Sequence, residues 1–326
     1  MIQIINLKKE SPQILMSLIK SYRYTPYWYI REIKEENRRA LLFHQLESSW
    51  SDEDSYILGA IVDGSLIGFL HMNRLNWDSE HFGLGIARLN HILVDPIVED
   101  SIEIFKFLLE AARAELIKRG ISSFHARIPL DEIRFIQFLE QIGFRLMDIQ
   151  VTYYFDLRKQ SIINLEEKCS IRAYNNSDIE LLIEIARTAF TLDRFHSDPH
   201  LSKEKCDELH ALWIKNSCQG RIADHVLVAE VDGEPVGFTT CVLHGNYGGI
   251  LNLRIGGMIL SAVAAKARGR GCYTSMINSG LKWFKDKVDI VYLGTQVNNY
   301  PVQLAWAKLG FKIAQASASM HLWLGN

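Results

Sequence analysis

The chain contains one pattern of apolar residues twice, about half its length apart. Residues 57–69 read ILGAIVDGSLIGF and residues 226–238 read VLVAEVDGEPVGF, an offset of 169 residues. A Gly-Phe pair follows each copy at nearly the same spacing, at residues 143–144 and 310–311. The repeat predicts two related domains, and a length of 326 residues gives each of them room for its own core.

Both copies predict the same order of secondary structure. Two strands joined by Asp-Gly form a hairpin, and a long strand, a helix, a further strand, a second helix and a closing strand follow. The second copy has two more helices before its hairpin, of which residues 203–218 are the longer. This order predicts an α/β fold with a mixed sheet in each half. The polar stretch 158–168 places the expected boundary near residue 160, which gives domains 1–160 and 161–326.

The amino-acid composition argues against several classes of function. A formal charge of -2 gives no overall field that would draw the chain to nucleic acid or to an acidic membrane, so an anion site has to be local. The five cysteines form no CxxC pair, which favours a reducing compartment and predicts no metal. No apolar segment has the length of a membrane span, and the N-terminus lacks the pattern of a secretion signal. We therefore expect a cytoplasmic protein without membrane insertion.

The two copies differ in the turn between their long strand and the following helix. The second copy has Lys266-Ala-Arg-Gly-Arg-Gly271, whereas the first has Glu99 and Asp100 where the second has Arg268 and Gly269. The first turn of a helix has free N–H groups and a partial positive charge, and glycine lets a ligand approach the backbone. The second turn is therefore predicted to bind a phosphate group, and the acidic first turn is not.

The second half resembles the GNAT superfamily of acyl-CoA N-acyltransferases. The resemblance rests on the long strand ending at Val263, the loop KARGRG as a variant of [QR]xxGx[GA], the strand YLGTQ, Asn299 and the later Gly310-Phe311. It implies tandem GNAT-like domains, of which the N-terminal one is degenerate and the C-terminal one catalytic. Further segments are similar to the TDP-fucosamine acetyltransferase group: residues 189–190, 194–195, 213–214, 294–296 and 321–323, with 77–83 in the first half.

By this resemblance, the cosubstrate is acyl-coenzyme A, and the backbone N–H of Leu260 contacts the oxyanion that forms when an amine attacks the thioester. No covalent enzyme intermediate is required. The implied coenzyme A contacts are Ser261, Val263, Lys266, Arg268, Gly269, Arg270, Gly271, Cys272 and Asn299.

The resemblance also implies an acceptor, the amine of a nucleotide-linked amino sugar. An arginine beside an aromatic ring suits a diphosphate and a base, and polar groups past a strand end suit hydroxyls and amides. The implied acceptor contacts are Arg194, Phe195, His196, Gln296, Trp77, Asp78 and Phe82. For the three residues of the first half, buried packing is the alternative interpretation.

The residue that protonates the leaving thiolate differs from the family pattern. The TDP-fucosamine acetyltransferase group usually has a tyrosine where this chain has Trp306, and an indole does not titrate. Trp306 is therefore expected to shape the acyl pocket and not to act as an acid. The candidate general bases are His321, His196 and Tyr247, with water-mediated deprotonation as the alternative.

The resulting hypothesis is transfer of an acetyl or longer short-chain acyl group, such as hydroxybutyryl, from acyl-CoA to a TDP-linked dideoxy-amino sugar in surface-glycan biosynthesis. Two alternatives stay open: another amine acceptor, namely an antibiotic, a small thiol-sugar or a protein, and a non-catalytic acyl-CoA sensor. No nucleic-acid partner is expected. A homodimer is compatible with the sequence.

Overall fold

The computed structural model of the chain describes residues 1–99 and 101–325 and divides into two compact units. Unit 1 comprises Met1–Met147 and Ser317–Asn326, and unit 2 comprises Asp148–Ala316. This division differs from the expected one at residue 160, because each unit includes a strand from the other half of the sequence.

Unit 1 is a sheet of five strands and part of a sixth. Its helices are α1 (Met16–Ile19), α2 (Glu35–Ser49), α3 (Asn76–Phe82), α4 (Ser101–Lys118) and α5 (Ile133–Gln141). Its first five strands are β1 (Gln3–Asn6), β2 (Ser55–Val62), β3 (Ser65–Arg74), β4 (Ile86–Val94) and β5 (Ser123–Pro129), and they lie in sequence order. All neighbouring pairs are antiparallel except β4 and β5, which are parallel. The predicted mixed sheet is confirmed for this unit.

Unit 2 repeats this arrangement. β6 (Arg145–Asp156) joins it from residue 148 onward, and the next strands are β7 (Ser170–Ala173), β8 (His225–Val231), β9 (Glu234–Leu243), β10 (Ile255–Val263) and β11 (Ile290–Gln296). Its helices are α6 (Ile179–Ala189), α7 (Lys203–Cys218), α8 (Gly248–Leu251), α9 (Cys272–Phe284) and α10 (Tyr300–Lys308). The order in its sheet is β7-β8-β9-β10-β11-β6, and only β10 and β11 are parallel.

The closing strands of the two halves are exchanged. β6 comes from the first half of the sequence, yet residues 150–156 pair with β11 of unit 2. The last strand, β12 (Lys312–Trp323), comes from the second half, yet residues 317–323 pair with β5 of unit 1. Because both closing strands are 12 residues long and become buried toward their C-terminal ends, the pattern alone does not specify which strand each of them joins.

The two Asp-Gly turns adopt the conformation that the sequence predicts. Asp63 and Gly64 have φ angles of 48° and 79°, and Asp232 and Gly233 have 51° and 79°. Two successive residues with positive φ are typical of the tight turns whose twist matches that of a β-hairpin. The hairpins β2-β3 and β8-β9 are therefore confirmed.

Helices cover both faces of the unit 2 sheet. Leu182 of α6 and Ile214 of α7 pack against Val228 and Phe238 on one face. Ile277 and Leu281 of α9 pack on the other face, against side chains such as Met258. Burial of these apolar side chains stabilises the fold, and it orders the end of β10 and the start of α9. In the described part of the chain, no helix is both long and apolar enough to cross a bilayer.

The strand exchange predicts where core mutations act. Met320 on β12 is fully buried in the core of unit 1, and Met258 on β10 is 3% exposed in the core of unit 2. Truncating a buried methionine to alanine costs about 2–5 kcal/mol. Met320→Ala should therefore speed hydrogen exchange at the amides of β5, and Met258→Ala should do so at those of β11. Equal acceleration of both strands by each variant would contradict this assignment.

Candidate functional site

One side of β10 is open along the second part of the strand. β10 pairs with β11 only over residues 255–258, whereas it pairs with β9 as far as Val263. The strand register shifts between Met258 and Ser261, so a bulge lies where the two parallel strands part. An extended ligand can bind to such an unpaired edge through main-chain hydrogen bonds.

The hydrogen bonds of β10 show which N–H groups point to this open edge. Ala264 N–H donates to the Val236 carbonyl at 2.8 Å, which places it on the β9 side. Successive N–H groups of a strand alternate, so Val263 and Ser261 point to the open side. Leu260 N–H donates to Thr240 Oγ1 at 3.0 Å on the β9 side, which contradicts its expected oxyanion contact. Ser261 has the first N–H beyond the bulge that points to the open edge.

The loop after β10 combines two left-handed glycines with a helix N-terminus. A single 3-10 turn, Ala265–Ala267, precedes Gly269 and Gly271, whose φ angles are 77° and 83°, and α9 begins at Cys272. A Cβ atom added at Gly269 would meet nothing within 4 Å. A phosphate group can therefore approach this backbone, where the first N–H groups of α9 have no partner within the helix.

Several cations surround this loop. Arg268 and Arg270 are exposed, and Arg268 Nε donates to the Val263 carbonyl at 3.3 Å. Lys266 forms an ion pair with Glu234, so its charge is partly neutralised. The side chain of Lys168 lies over Gly271, because a Cβ atom there would be 3.0 Å from Lys168 Cγ. The sequence analysis missed Lys168, since it lies in the predicted linker.

The corresponding turn of unit 1 is acidic, as its sequence indicates. Asp95 accepts a hydrogen bond from Ile97 N–H at 3.0 Å and Glu99 is exposed, whereas Asp100 lies outside the described residues. Carboxylates repel a phosphate group, so the described part of this turn does not match the loop at Gly269.

Trp306 lies in the core of unit 2. It is 2% exposed and packs edge-on against Tyr153, with ring centroids 5.2 Å apart. Its Nε1–H donates to Tyr273 Oη at 3.1 Å. Tyr273 is on α9, next to the loop of Gly269 and Gly271, and burial raises the pKa of its hydroxyl group. The indole N–H thus contacts Tyr273, and the predicted contact of Trp306 with an acyl chain stays a prediction.

The polar residues past β11 are held in place by neighbours. Asn299 caps α10, and its Nδ2 donates to Thr295 Oγ1 at 2.9 Å. Gln296 Nε2 donates to Asp148 Oδ2 at 3.2 Å, and Asp148 Oδ1 is buried. The sequence analysis missed Asp148 because it belongs to the closing strand of the first repeat.

The segment between α6 and α7 is more buried than expected of acceptor contacts. Phe195 is 7% exposed, and the Arg194 guanidinium carbon lies 4.3 Å from the centre of its ring. His196 is held between two carboxylates, with Nδ1 2.7 Å from Asp193 Oδ2 and Nε2 2.9 Å from Asp207 Oδ1. The hydrogen bond with Asp193 raises the pKa of His196. Because both ring nitrogens are occupied, His196 does not fit the predicted roles of base or substrate contact.

Tyr247 lies in unit 2, in the 3-10 turn Gly245–Tyr247, and the remaining predicted base and acceptor residues lie in unit 1. His321 is 1% exposed and stacks on His125, with ring centroids 3.5 Å apart, so it has the environment of a core residue. This position contradicts its predicted role as a base in the C-terminal domain. Asp78 and Phe82 of α3 are buried, as their packing interpretation predicts, whereas Trp77 is 37% exposed and stacks on His81.

A protein family and a curated protein each match part of the chain. Residues 182–311 match the Acetyltransferase (GNAT) family. The spore coat polysaccharide biosynthesis protein SpsD of Bacillus subtilis (strain 168) is 30% identical over 152 residues, which are 46% of this chain and 49% of that protein. The aligned region thus spans about half the length of this curated relative.

Solved structures resemble the whole fold at low identity. A GCN5-related N-acetyltransferase from Sphaerobacter thermophilus covers 100% of this chain and 96% of its own, with a TM-score of 0.66 and 13% identity. A tandem GNAT protein from the clavulanic acid biosynthesis pathway covers 100% and 99%, with a TM-score of 0.58 and 14% identity. Residues 182–311 thus match the GNAT acetyltransferase family, and the fold of the chain is similar to that of a tandem GNAT protein.

Proposed function

We propose that the chain transfers an acyl group from acyl-coenzyme A to the amine of a nucleotide-linked amino sugar, with a TDP-linked dideoxy-amino sugar as the first acceptor to test. The reaction is direct attack of the amine on the thioester, in the cytoplasm, and its product serves surface-glycan biosynthesis. The observation that carries the proposal is the loop at Gly269 and Gly271, which continues from the open edge of β10.

The coenzyme A contacts follow from this loop and edge. The N–H groups at the start of α9 bind the pyrophosphate, with charge from Arg268 and Arg270, whereas Lys168 and Lys266 are each paired with a glutamate. The N–H groups of Val263 and Ser261 bind the pantetheine arm and the acyl carbonyl. In this proposal Ser261 replaces Leu260 as the donor to the oxyanion.

Tyr273 is the proposed hydrogen-bond donor to the departing thiolate. Its oxygen accepts from Trp306, so its own proton is available for a second partner. Burial raises its pKa and keeps the hydroxyl group protonated at neutral pH. This role compensates for the missing tyrosine at position 306.

A sugar acceptor is supported by the relative with 30% identity, whose name refers to spore coat polysaccharide biosynthesis. The identity of the nucleotide and the position of the amine on the sugar are the more specific parts of the proposal. They rest on the resemblance of Gln296, Asn299 and the segment at Arg194 to the TDP-fucosamine acetyltransferase group.

A non-catalytic acyl-CoA sensor is the second candidate function, and Trp306 at the usual tyrosine position favours it. The two candidates differ in turnover. A sensor binds acyl-CoA with the same loop but releases no thiol in the presence of any amine.

A panel of acyl-CoAs against TDP-linked 3-amino and 4-amino sugars tests the proposal, with thiol release and product mass as readouts. We expect one acceptor class to give a product heavier by one acyl group, with turnover that depends on both substrates. Aminoglycosides, small thiol-sugars and a lysine peptide are the matched alternative amines. Turnover of only these amines would contradict the sugar acceptor, and coenzyme A binding without any product would support the sensor.

A further inference from the structure

A compact cluster of metal-ligating side chains lies between α6 and α7, apart from the phosphate-binding loop. Asp193, His196 and His210 each direct one ligand atom toward the others, and these atoms all lie within 4.8 Å of one another. Asp193 Oδ2 is central, 2.7 Å from His196 Nδ1 and 3.6 Å from His210 Nε2. The side chains are only 14%, 6% and 6% exposed.

The outer nitrogens of both histidines face acceptor oxygens. His196 Nε2 lies 2.9 Å from Asp207 Oδ1, and His210 Nδ1 lies 3.2 Å from the Cys206 carbonyl oxygen. Each of these nitrogens therefore carries a hydrogen, so His210 Nε2 turns a lone pair toward Asp193, whereas His196 Nδ1 donates to Asp193 Oδ2 and would give up its proton to a bound metal ion. A carboxylate or a backbone carbonyl behind the ring is the usual outer partner of a metal-bound histidine.

The contact between His210 Nε2 and Asp193 Oδ2 has no hydrogen-bond donor. With Nδ1 of His210 donating to the Cys206 carbonyl, its Nε2 can only accept, and so can the carboxylate oxygen that it faces at 3.6 Å. Two acceptors facing each other in a protein interior repel, and a cation between them removes the repulsion.

We propose that Asp193, His196 and His210 bind a first-row divalent metal ion, with zinc as the best match. Tetrahedral zinc with bonds of about 2.0–2.1 Å places its ligand atoms about 3.3 Å apart. The two distances to Asp193 Oδ2 are below and above that separation, so small side-chain movements suffice. Two imidazoles with one carboxylate suit zinc better than magnesium or calcium, which prefer oxygen ligands.

Such an ion ties the segment after α6 to α7. His210 is on α7, whereas Asp193 and His196 precede that helix and flank Arg194 and Phe195. The prediction that the chain binds no metal rested on cysteine spacing, which does not report on a site built from histidine and aspartate.

Cobalt titration of the full-length protein, first stripped with a chelator, tests this site. One equivalent of Co²⁺ should give the intense visible bands of a four-coordinate ion, and Zn²⁺ should abolish them and raise the melting temperature. Asp193→Asn and His210→Gln should each weaken Co²⁺ binding at least about 100-fold. Asp207→Asn changes only an outer partner and should weaken it about 10-fold.

His200→Gln is the matched control, since His200 lies in the same segment and contacts Asp198 instead. It should leave Co²⁺ binding unchanged. The proposal is overturned if the wild-type protein gives no visible bands and no zinc-dependent shift in melting, or if His200→Gln weakens binding as much as His210→Gln. Nitrogen NMR showing His196 protonated at both positions with excess zinc present would instead identify a salt bridge with Asp193 and Asp207. The titration of the wild-type protein tests the proposal even if a variant does not fold.

Discussion

Gly269→Ala should weaken acyl-CoA binding about 100-fold, or about 2.7 kcal/mol, whereas Gly233→Ala should leave it within about threefold. Gly269 and Gly233 have nearly the same φ, 77° and 79°, and a Cβ atom at either position meets nothing of the protein within 4 Å. Both variants therefore carry the same backbone strain, about 1–2 kcal/mol. In the proposed complex they differ in that the new methyl group at residue 269 lies where the phosphate group of coenzyme A approaches.

Calorimetric titration with coenzyme A and with the sugar nucleotide separates the two ligands, and denaturant unfolding measures the strain. Sugar binding should be unchanged in both variants, and both should lose similar stability. If Gly269→Ala and Gly233→Ala bind coenzyme A equally well, the loop is not its phosphate site. Gly271→Val adds contact with Lys168 to the strain and should weaken coenzyme A binding further.

Tyr273→Phe should lower kcat about 100-fold and leave the KM for acyl-CoA within about threefold. The change removes one hydroxyl group from a site that otherwise keeps its shape, and a positioned proton donor contributes about 100-fold or more. Because the proposed role of the hydroxyl group is to interact with the departing thiolate and not with bound coenzyme A, the loss is expected in the chemical step. Steady-state and single-turnover kinetics with the best substrate pair from the panel measure it.

Trp306→Phe and Tyr174→Phe provide the controls for this role. Trp306→Phe removes the hydrogen bond that orients Tyr273 and should lower kcat about 10-fold, less than loss of the hydroxyl group itself. Tyr174 hydrogen-bonds to Asn176 near the start of unit 2, and its replacement should have little effect on kcat. A normal rate for Tyr273→Phe would mean that the thiolate leaves without a protein donor.

Local patterns predicted the secondary structure well where one periodicity dominates. The helix at residues 203–218 has the predicted bounds, and both Asp-Gly turns adopt the predicted positive φ angles. The long strand predicted to end at Val263 begins only at Ile255, because residues 248–251 form a helical turn and Asn252 has a left-handed φ of 53°. A run of apolar residues is compatible with both a strand and a helical turn, so it does not predict which of them forms.

Long-range contacts were harder to predict. His196 and His210 are 14 residues apart in the sequence, and only the packing of the segment after α6 onto α7 brings both to Asp193. His321 matched a family segment, yet it pairs with β5 in unit 1, because nothing local in a strand encodes its partner. Lys168 and Asp148 were missed because the local sequence does not show that they lie beside Gly271 and Gln296.

The sequence by itself determined the duplication, the order of strands and helices in each half, and the basic glycine loop that distinguishes the second half from the first. These follow from local rules, namely alternation, helical period and the freedom of glycine at positive φ. Only the tertiary structure decided that the closing strands are exchanged, that Ser261 and not Leu260 points its N–H to the open edge, and that Trp306 donates to Tyr273. The physical reason is that strand pairing, the register at a bulge and side-chain hydrogen bonds depend on residues distant in the chain, which local sequence does not specify.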